Sequence, residues 1–344
     1  MRRGIFSYGG KKKRRRGGLF LLACLAFVIV GVSLYTVMDN GKIDFVRHYV
    51  TVSDLPESLE GFTVLMISDL AGGTFGSKQR VLAEAAKKAS YNAIVVNGDF
   101  TDKNGRADAL VQLIAALNTT KPIFLIPGDG DPPYNPNAPA DPYTAAVSAG
   151  AIWLDSSRSV TVRNAQVWFV PEHQLIENNP TTQLELYNNE IANLIKRSST
   201  DEGGRQYAIA QHEIAALGRE IEARETIKTD DLQIVVMHNP LDEARAALIT
   251  SFSVSGDSFY TGIDAFLAGH YAGGSWRLPW LSAIYVNGHG FFPKDGEIYG
   301  KNAVLGWTQI ISGGLGPASD SPFPAFRLFN TPEITYVTFT RYLQ

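Results

Sequence analysis

The chain has 344 residues, 45% of them hydrophobic, which excludes a disordered tail and a mini-protein and is enough for one large domain or two ordinary ones. Eight of the 31 basic residues fall in the first 16 positions, where there is no acidic residue. The rest of the sequence contains 23 basic and 34 acidic residues. The net charge of −3 thus divides into a head of +8 and an acidic body, which argues against nucleic-acid binding. The single cysteine, Cys24, excludes a disulfide framework, a Cys-rich zinc module and an iron–sulfur cluster, so histidines and carboxylates must hold any metal.

The basic head, residues 1–18, precedes twenty residues without a charge, 19–38. As a helix this stretch spans roughly 30 Å, the thickness of the hydrocarbon core of a bilayer. A buried core helix is disfavoured because such helices rarely run this long without a polar face. A cleaved secretory signal is the alternative to a retained anchor, although the end of the run lacks small residues in the usual cleavage spacing. We predict a single-pass protein of the cell membrane, with a cytoplasmic head and residues 39–344 outside the cytoplasm.

The first half of the body alternates short apolar runs with helix-forming segments. The predicted strands are 64–68, 93–97 and 123–126. The predicted helices are 78–90, 107–117 and 141–149, the last with Asp141 as N-cap and Pro142 in its first turn. Apolar strands of four or five residues between helices are typical of strands buried on both faces, and they indicate an α/β layered fold.

The second half is richer in strands. A hairpin is predicted over 160–162 and 166–170, and further strands over 232–237, 265–268, 283–286, 308–311 and 335–340. The intervening segment, 181–229, is rich in helix formers and predicts two helices broken near 198–204. We interpret it as a helical insertion, either a solvated hairpin or an element that binds a partner or covers a cleft.

Acids and histidines follow the predicted strands. In an α/β sheet such positions point into one crevice, where ligands bind. One acid after one strand is an ordinary turn former, but five such turns in one α/β unit favour a shared site. Carboxylates and imidazoles together suit Zn, Mn or Fe. The candidate metal ligands are Asp69, Asp99, Asp129, His238 and His270.

The order of these turns resembles the five-block signature of calcineurin-like metallophosphoesterases, and most closely that of the membrane-anchored bacterial branch. The blocks here are Ser68-Asp69, Gly98-Asp99, Gly128-Asp129-Gly130-Asp131, His238 and Gly269-His270. The resemblance covers about residues 45–344. It implies an α/β fold of four layers, an α/β-β/α sandwich with a two-metal site between its sheets, preceded here by the transmembrane helix.

The sequence departs from the family pattern at four site positions. Alanines or glycine replace histidines at Ala71, Gly130 and Ala272, and Asp129 replaces an asparagine ligand. The resemblance therefore implies one firm ion held by Asp99, Asp129, His238 and His270. It implies a second, weaker ion of the Mg or Mn type, held by Asp69 and Asp99. Asp131, whose partner in the family is the histidine missing at position 130, is expected to be a vestigial turn residue.

Two functional hypotheses follow. The first is a membrane-anchored enzyme that hydrolyses a phosphate ester through metal-activated hydroxide, with Asp69 and Asp99 as catalytic residues. Its expected substrate is a phosphorylated small molecule or a lipid head group, and its activity is expected to be weak because the histidine at position 130 is missing. The second is a non-catalytic metal-binding relative that serves as an interaction or structural module at the membrane.

Two residues outside the motif blocks are candidates for substrate binding. Arg277 follows the last block, and its guanidinium suits a phosphate, although a salt bridge to a structural acid is an equal alternative. His289 lies in a glycine-rich turn, where a surface-loop histidine is the alternative.

Overall fold

The computed structural model describes residues 14–176, 179–255, 260 and 262–342. Its first element is the helix α1 (Arg14–Asn40). The stretch Gly18–Asn40 is long and apolar enough to cross a membrane, judged by length and composition, and only 6% of its most apolar window is buried. The end of α1 touches the rest of the chain, since Asn40 and the main chain of Arg327 exchange two hydrogen bonds.

The first six-stranded sheet gathers strands from both ends of the chain. Its order is β1 (Asp44–Thr51), β14 (Glu333–Thr340), β2 (Thr63–Ile67), β3 (Ala93–Asn97), β4 (Ile123–Ile126) and β5 (Ile152–Trp153). Strands β2 to β5 are parallel, whereas β14 runs antiparallel to β2. The carboxyl ends of β2, β3 and β4 therefore lie side by side along one edge.

The second six-stranded sheet is built in the same way. Its order is β12 (Gly300–Val304), β13 (Trp307–Ile311), β9 (Ile263–Ala268), β8 (Leu232–Val236), β7 (Ala165–Pro171) and β6 (Arg158–Val162). Strands β7, β8, β9 and β13 are parallel, and the outer strands β6 and β12 are antiparallel to their neighbours. A short ribbon, β10 (Tyr285–Val286) with β11 (Gly290–Phe291), stands apart from both sheets.

Helices cover the outer faces of the two stacked sheets. One core packs the first sheet against α2 (Arg80–Ala86), α3 (Asp108–Leu117) and α4 (Pro142–Ser148). A central core consists of inward side chains of both sheets, such as Phe124 and Phe169, whose rings lie 4.4 Å apart. A third core packs the second sheet against α5 (His173–Ile176), α7 (Asp201–Thr226) and α8 (Glu243–Ser255). The four-layer α/β-β/α sandwich predicted from the resemblance is confirmed.

Most predicted elements form, with shifted ends. The helix predicted over 78–90 begins in a 3-10 turn and ends at Ala86, whereas Asp141 caps α4 as expected by accepting from the Thr144 amide. The segment 181–229 contains α6 (Pro180–Arg197) and α7, separated at residues 198–200. Strands β1, β5, β11 and β12 and helices α5, α8 and α9 (Asp295–Ile298) were not predicted. The edge strand β1 shows no clean alternation of buried and exposed residues, which explains why its pattern was weak.

One buried side chain joins the two sheets at the edge where the parallel strands end. Asn97, the last residue of β3, donates from Nδ2 to the carbonyl oxygens of Met237 (3.2 Å) and Leu267 (2.9 Å), both in the second sheet's half of the molecule. Asn97 is completely buried. Because buried carbonyl groups left without donors are destabilising, this amide fixes the spacing of the two sheets there.

Replacing this amide should weaken the whole fold. We expect Asn97→Ala to lower the free energy of unfolding by about 1–3 kcal/mol, because the Met237 carbonyl loses the Asn97 donor and the Leu267 carbonyl keeps only its bond from the Met237 amide. Urea unfolding followed by circular dichroism measures the change. Asn189→Ala, an exposed position on α6, is the matched control and should change stability by less than about 0.5 kcal/mol. Equal stability of the two variants would contradict the role given to Asn97.

Candidate metal centre

Three carboxylates come from turns at the ends of β2, β3 and β4. Asp69 and Asp99 have left-handed backbone conformations, with φ of 53° and 49°. Such conformations are uncommon for residues other than glycine, and they concentrate at functional sites. Both residues are buried, whereas the side chain of Asp129 is 57% exposed. The sharp turns thus aim two carboxylates inward and leave the third at the mouth of the site.

Two imidazoles come from the turns that follow β8 and β9. His238 Nδ1 lies 2.7 Å from the Asn97 carbonyl oxygen. Because a carbonyl accepts, Nδ1 carries a proton and Nε2 is left facing the carboxylates. His270, with φ of 74°, donates its backbone amide to Asp69 Oδ1 at 3.1 Å. Each histidine is therefore tied to the half of the molecule that contains the first sheet, His238 through its ring and His270 through its backbone amide.

Glycines allow these loops to approach one another. A Cβ at Gly128 would lie 2.3 Å from the Asp99 amide nitrogen, and one at Gly98 would lie 2.6 Å from His238 Nδ1. Gly98 also has a φ of 81°, which a side chain would strain. The glycines next to Asp99 and Asp129 in the sequence are therefore required by the packing of the site.

The donor atoms converge in two overlapping groups. Asp129, His238 and His270 form one, Asp69, Asp99 and His238 form the other, and the ligand atoms within each lie within 4.8 Å of one another. His238 Nε2 lies 3.3 Å from His270 Nδ1 and 3.5 Å from Asp99 Oδ1. Within the described residues, Asp69 Oδ2 and Asp99 Oδ2 are buried without a hydrogen-bond partner. Facing imidazole nitrogens and unpaired buried carboxylate oxygens fit a divalent cation.

The pKa shifts of Asp69, His238 and His270 are consistent with a cation site. Burial raises the pKa of Asp69 to about 7, with His238 opposing the shift and Asp99 reinforcing it. Burial alone would lower the pKa of His238, but the charges of Asp69 and Asp99 outweigh it and hold this pKa above its ordinary value. Burial and the neighbouring His238 lower the pKa of His270. The protein thus holds buried carboxylates whose negative charge a cation would neutralise.

Comparison with known proteins decides the family. The sequence pattern of calcineurin-like phosphoesterases matches residues 62–273, more than half of the chain. The chain belongs to this family. A solved structure of the phosphopantetheinyl hydrolase from Mycobacterium tuberculosis is similar, with 14% sequence identity and a TM-score of 0.37 over 74% of this chain and 91% of that chain. None of the curated proteins matches the chain.

Members of the calcineurin-like phosphoesterase family bind divalent metals. The sequence assigned Asp99 to both ions, with Asp129 and both histidines at the firm one and with Asp69 at the weaker one. In the structure Asp99 groups with Asp69, and His238 Nε2 lies near the donor atoms of both groups. Asp99 Oδ1 also accepts the Gly130 amide at 2.7 Å, which ties this carboxylate to the loop that carries Asp129.

The three positions that lack a family histidine lie in different surroundings. Ala272 is fully buried, with φ of 48°, and Ala71 is exposed, with φ of 47°. A Cβ at Gly130 would lie 3.1 Å from Asp99 Oδ1 and 3.3 Å from the Cβ of Ser319. Ser319 comes from the loop after β13, which therefore fills part of the space that a side chain at position 130 would need.

The remaining predicted residues lie around the two ligand groups. Arg277 donates to Asp295 at 2.6 Å and to the Gly273 carbonyl, which is the salt bridge named as its alternative. The ring of His289 lies 4.9 Å from Tyr271, which neighbours His270, and its Nδ1 lies 3.8 Å from Glu297. Neither residue is part of a ligand group.

Asp131 has a structural role that was not expected from the sequence. It accepts hydrogen bonds from the amide and hydroxyl of Thr101 and from the amide of Gly128, at 2.8–2.9 Å. Burial raises its pKa, and these donors oppose the shift. Asp131 therefore ties the loop after β3 to the loop after β4 and has a structural role without the missing histidine.

Sequence reasoning missed two polar residues at the site. Asn239 donates from Nδ2 to both carboxylate oxygens of Asp129, at 3.2 and 3.1 Å. In the sequence, only the position of Asn239 directly after the candidate ligand His238 could have indicated that it lies at the site. Asp320 Oδ2 lies 3.8 Å from His270 Nε2. No motif marks Asp320, because a loop far along the chain brings it to the site.

Metal binding should depend on His238, the residue shared by both ligand groups. We expect the full-length chain in detergent to bind Mn²⁺, and His238→Ala to weaken binding by at least about 100-fold, since even supporting residues of metal sites contribute up to that factor. Isothermal titration calorimetry and metal analysis after gel filtration measure this. His48→Gln, on β1 and outside both ligand groups, is the control. Unchanged affinity in His238→Ala would exclude the site.

Proposed function

We propose that this protein is a metal-dependent phosphoesterase. The observation that carries the proposal is the convergence of three carboxylates and two imidazoles at one sheet edge in a member of the calcineurin-like phosphoesterase family. Asp99, Asp129, His238 and His270 would hold one divalent cation, and Asp69 and Asp99 would hold a second, more weakly. Bound there, Mn, Zn, Fe or Mg would supply Lewis-acid activation of water and of the phosphoryl oxygens.

Hydrogen bonds within the protein orient the proposed metal ligands. The Asn97 carbonyl fixes the His238 ring, the Gly130 amide fixes the Asp99 carboxylate, and Asn239 fixes the Asp129 carboxylate. Supporting hydrogen bonds of this kind set the orientation and basicity of metal ligands. We therefore assign catalytic roles to Asp69 and Asp99, which are buried and each keep one unpaired oxygen.

Turnover should be slow for esters with poor leaving groups. A general acid typically contributes about 10²–10⁴-fold, and position 130 carries no side chain that could protonate a leaving oxygen. The Cβ position at Gly130 is crowded by Asp99 and Ser319. Esters of acidic alcohols, which leave without protonation, are the substrates that this site suits.

The proposed location is the outer face of the cell membrane, with α1 as a retained anchor. Its end is integrated into the folded body: Thr331 donates to Asp39 at 2.9 Å, and the rings of Tyr35 and Phe329 lie 5.3 Å apart. Cleavage of a signal after residue 38 would remove the ring contact. The basic head favours a cytoplasmic N-terminus, so a phosphorylated small molecule or a lipid head group outside the cytoplasm is the proposed substrate.

Membrane fractionation tests whether α1 is retained as an anchor. We expect the full chain, with residues 1–38 present by mass spectrometry, to stay in the pellet after an alkaline carbonate wash, because a 23-residue apolar helix is not extracted without detergent. A soluble chain that begins near residue 39 would show instead that the helix is a cleaved signal.

Hydrolysis assays test whether the protein is a phosphoesterase. With Mn²⁺, Zn²⁺ or Mg²⁺ present, we expect turnover of bis(p-nitrophenyl) phosphate or p-nitrophenyl phosphate by the full chain, at least about 10²-fold faster than of an alkyl phosphate ester, because position 130 supplies no acid. His238→Ala should abolish turnover, and His48→Gln should retain it.

A chain that binds metal but shows no turnover above the His238→Ala level would favour the second hypothesis, a non-catalytic metal-binding relative at the membrane. The crowding at Gly130 and the alanines at positions 71 and 272 are the observations that favour it.

A further inference from the structure

An apolar groove lies between α1 and the folded body. It has a volume of about 750 Å³. One side is a face of the last three turns of α1, and the other side belongs to two loops of the body. The lining includes, on α1, Val32, Ser33, Thr36 and Val37 and, on the body, Trp276, Phe326 and Leu328. The groove therefore joins the candidate membrane helix to an aromatic part of the body.

The α1 side of the groove lies within the stretch that would cross a membrane. Its residues belong to the candidate span Gly18–Asn40. Val32 precedes Asn40 by eight residues, which is roughly 12 Å along a helix axis. Because about 20 helical residues cross the hydrocarbon core of a bilayer, the groove would open at the depth of the acyl chains of one leaflet.

The body cannot move away from this depth without breaking its contacts with α1. Asn40 and the main chain of Arg327 exchange two hydrogen bonds. The buried Asp39 accepts a further bond from Thr331 at 2.9 Å. These contacts fix the loop that carries Phe326 beside the end of the helix. The aromatic side of the groove is therefore held at the same level as the end of the span.

A second loop extends this surface away from α1. Trp276 donates from its indole nitrogen to the Phe326 carbonyl at 3.0 Å, and its ring stacks on that of Phe323 at 4.7 Å. The chain then turns back, because Arg277 forms an antiparallel bridge with Ala283. The large exposed apolar side chains of this turn are Leu278, Trp280 and Leu281. Trp280 is 100% exposed, so the body itself offers its ring no packing partner.

The surface around this turn is apolar. Arg277, the charged residue within residues 276–281, is paired with Asp295 at 2.6 Å. Phe291 and Phe292, which follow in the ribbon, are also exposed. Large exposed apolar surfaces mark sites that bind proteins or membranes. Tryptophan in particular is enriched where acyl chains meet water, because its ring is apolar and its N–H is polar.

We propose that residues 276–281, 291–292 and 323–329 form a membrane face of the body, inserted into the outer leaflet with phospholipid acyl chains in the groove. Lipid is the occupant that the position favours, because the α1 side of the groove lies within the candidate span and would be surrounded by lipid. Removing the exposed apolar rings from water would stabilise this arrangement. The inference goes beyond the proposed hydrolysis and rests on the proposed function only for the placement of α1 in the membrane.

Quenching of tryptophan fluorescence by lipid tests the membrane face. Residues 1–40 contain no tryptophan, so the signal comes from the body alone. The full-length chain is reconstituted into vesicles of phosphatidylcholine, with or without bromine atoms on the acyl chains, which quench an indole in contact with them. We expect bromine to lower the emission of the natural chain by at least about one fifth, the share of one of its five tryptophans.

Matched variants identify the rings that contact lipid. The double variant Trp276→Phe/Trp280→Phe should show the same emission in both lipids, because the membrane face then has no tryptophan. Trp307→Phe makes the same substitution on β13, outside the membrane face, and should keep the quenching. If the double variant does not fold, Trp280→Phe, at a fully exposed position, replaces it and should reduce the quenching.

The outcomes separate this inference from the proposed function. Equal emission in both lipids from a natural chain that floats with the vesicles would overturn the membrane face, and a second protein chain covering the face would give this result. Equal quenching in the double variant and in Trp307→Phe would also overturn it. A chain that does not float with the vesicles would contradict the anchor and this inference together. Quenching without any hydrolysis of bis(p-nitrophenyl) phosphate would leave the membrane face standing and contradict the enzyme.

Discussion

The site depends on how Asn97 joins the two sheets. Its side-chain amide binds the main chain beyond β8 and at the end of β9, while its own carbonyl accepts His238 Nδ1. One residue thus holds the carboxyl ends of strands from different sheets together and orients a histidine between them. Without this spacing, Asp69 and Asp99 of one sheet would not meet His238 and His270 of the other.

The charges at this junction explain why a cation fits. Asp69 and Asp99 are buried with unpaired oxygens, and the nearby positive groups only partly neutralise them. Arg327, itself buried, contributes a favourable charge to Asp69 but donates its hydrogen bonds to Gly316 and Asn330. Burying carboxylates without compensation is destabilising, so the fold keeps them at a free-energy cost that a bound ion would relieve.

The chain departs from the motif pattern of its family at three histidine positions of the site. Histidines are absent at positions 71, 130 and 272, and the loop carrying Ser319 closes over Gly130. On the opposite side of Asp129, the insertion encloses a cavity that the site opens into. At position 130 the chain therefore presents no side chain to a ligand bound at the metal centre.

The sequence by itself determined the layered α/β fold and which five residues are candidate ligands, because both depend on local patterns: apolar runs of strand length, and acids or histidines directly after them. Strand β1 was missed because an edge strand lacks a strong burial pattern. Only the tertiary structure decided that His238 lies near both ligand groups, that Asn239 and Asp320 reach the site, and that Asp131 ties two loops together. Those facts depend on contacts between residues far apart in the chain, such as Asp320 with His270, and local spacing does not encode such distances.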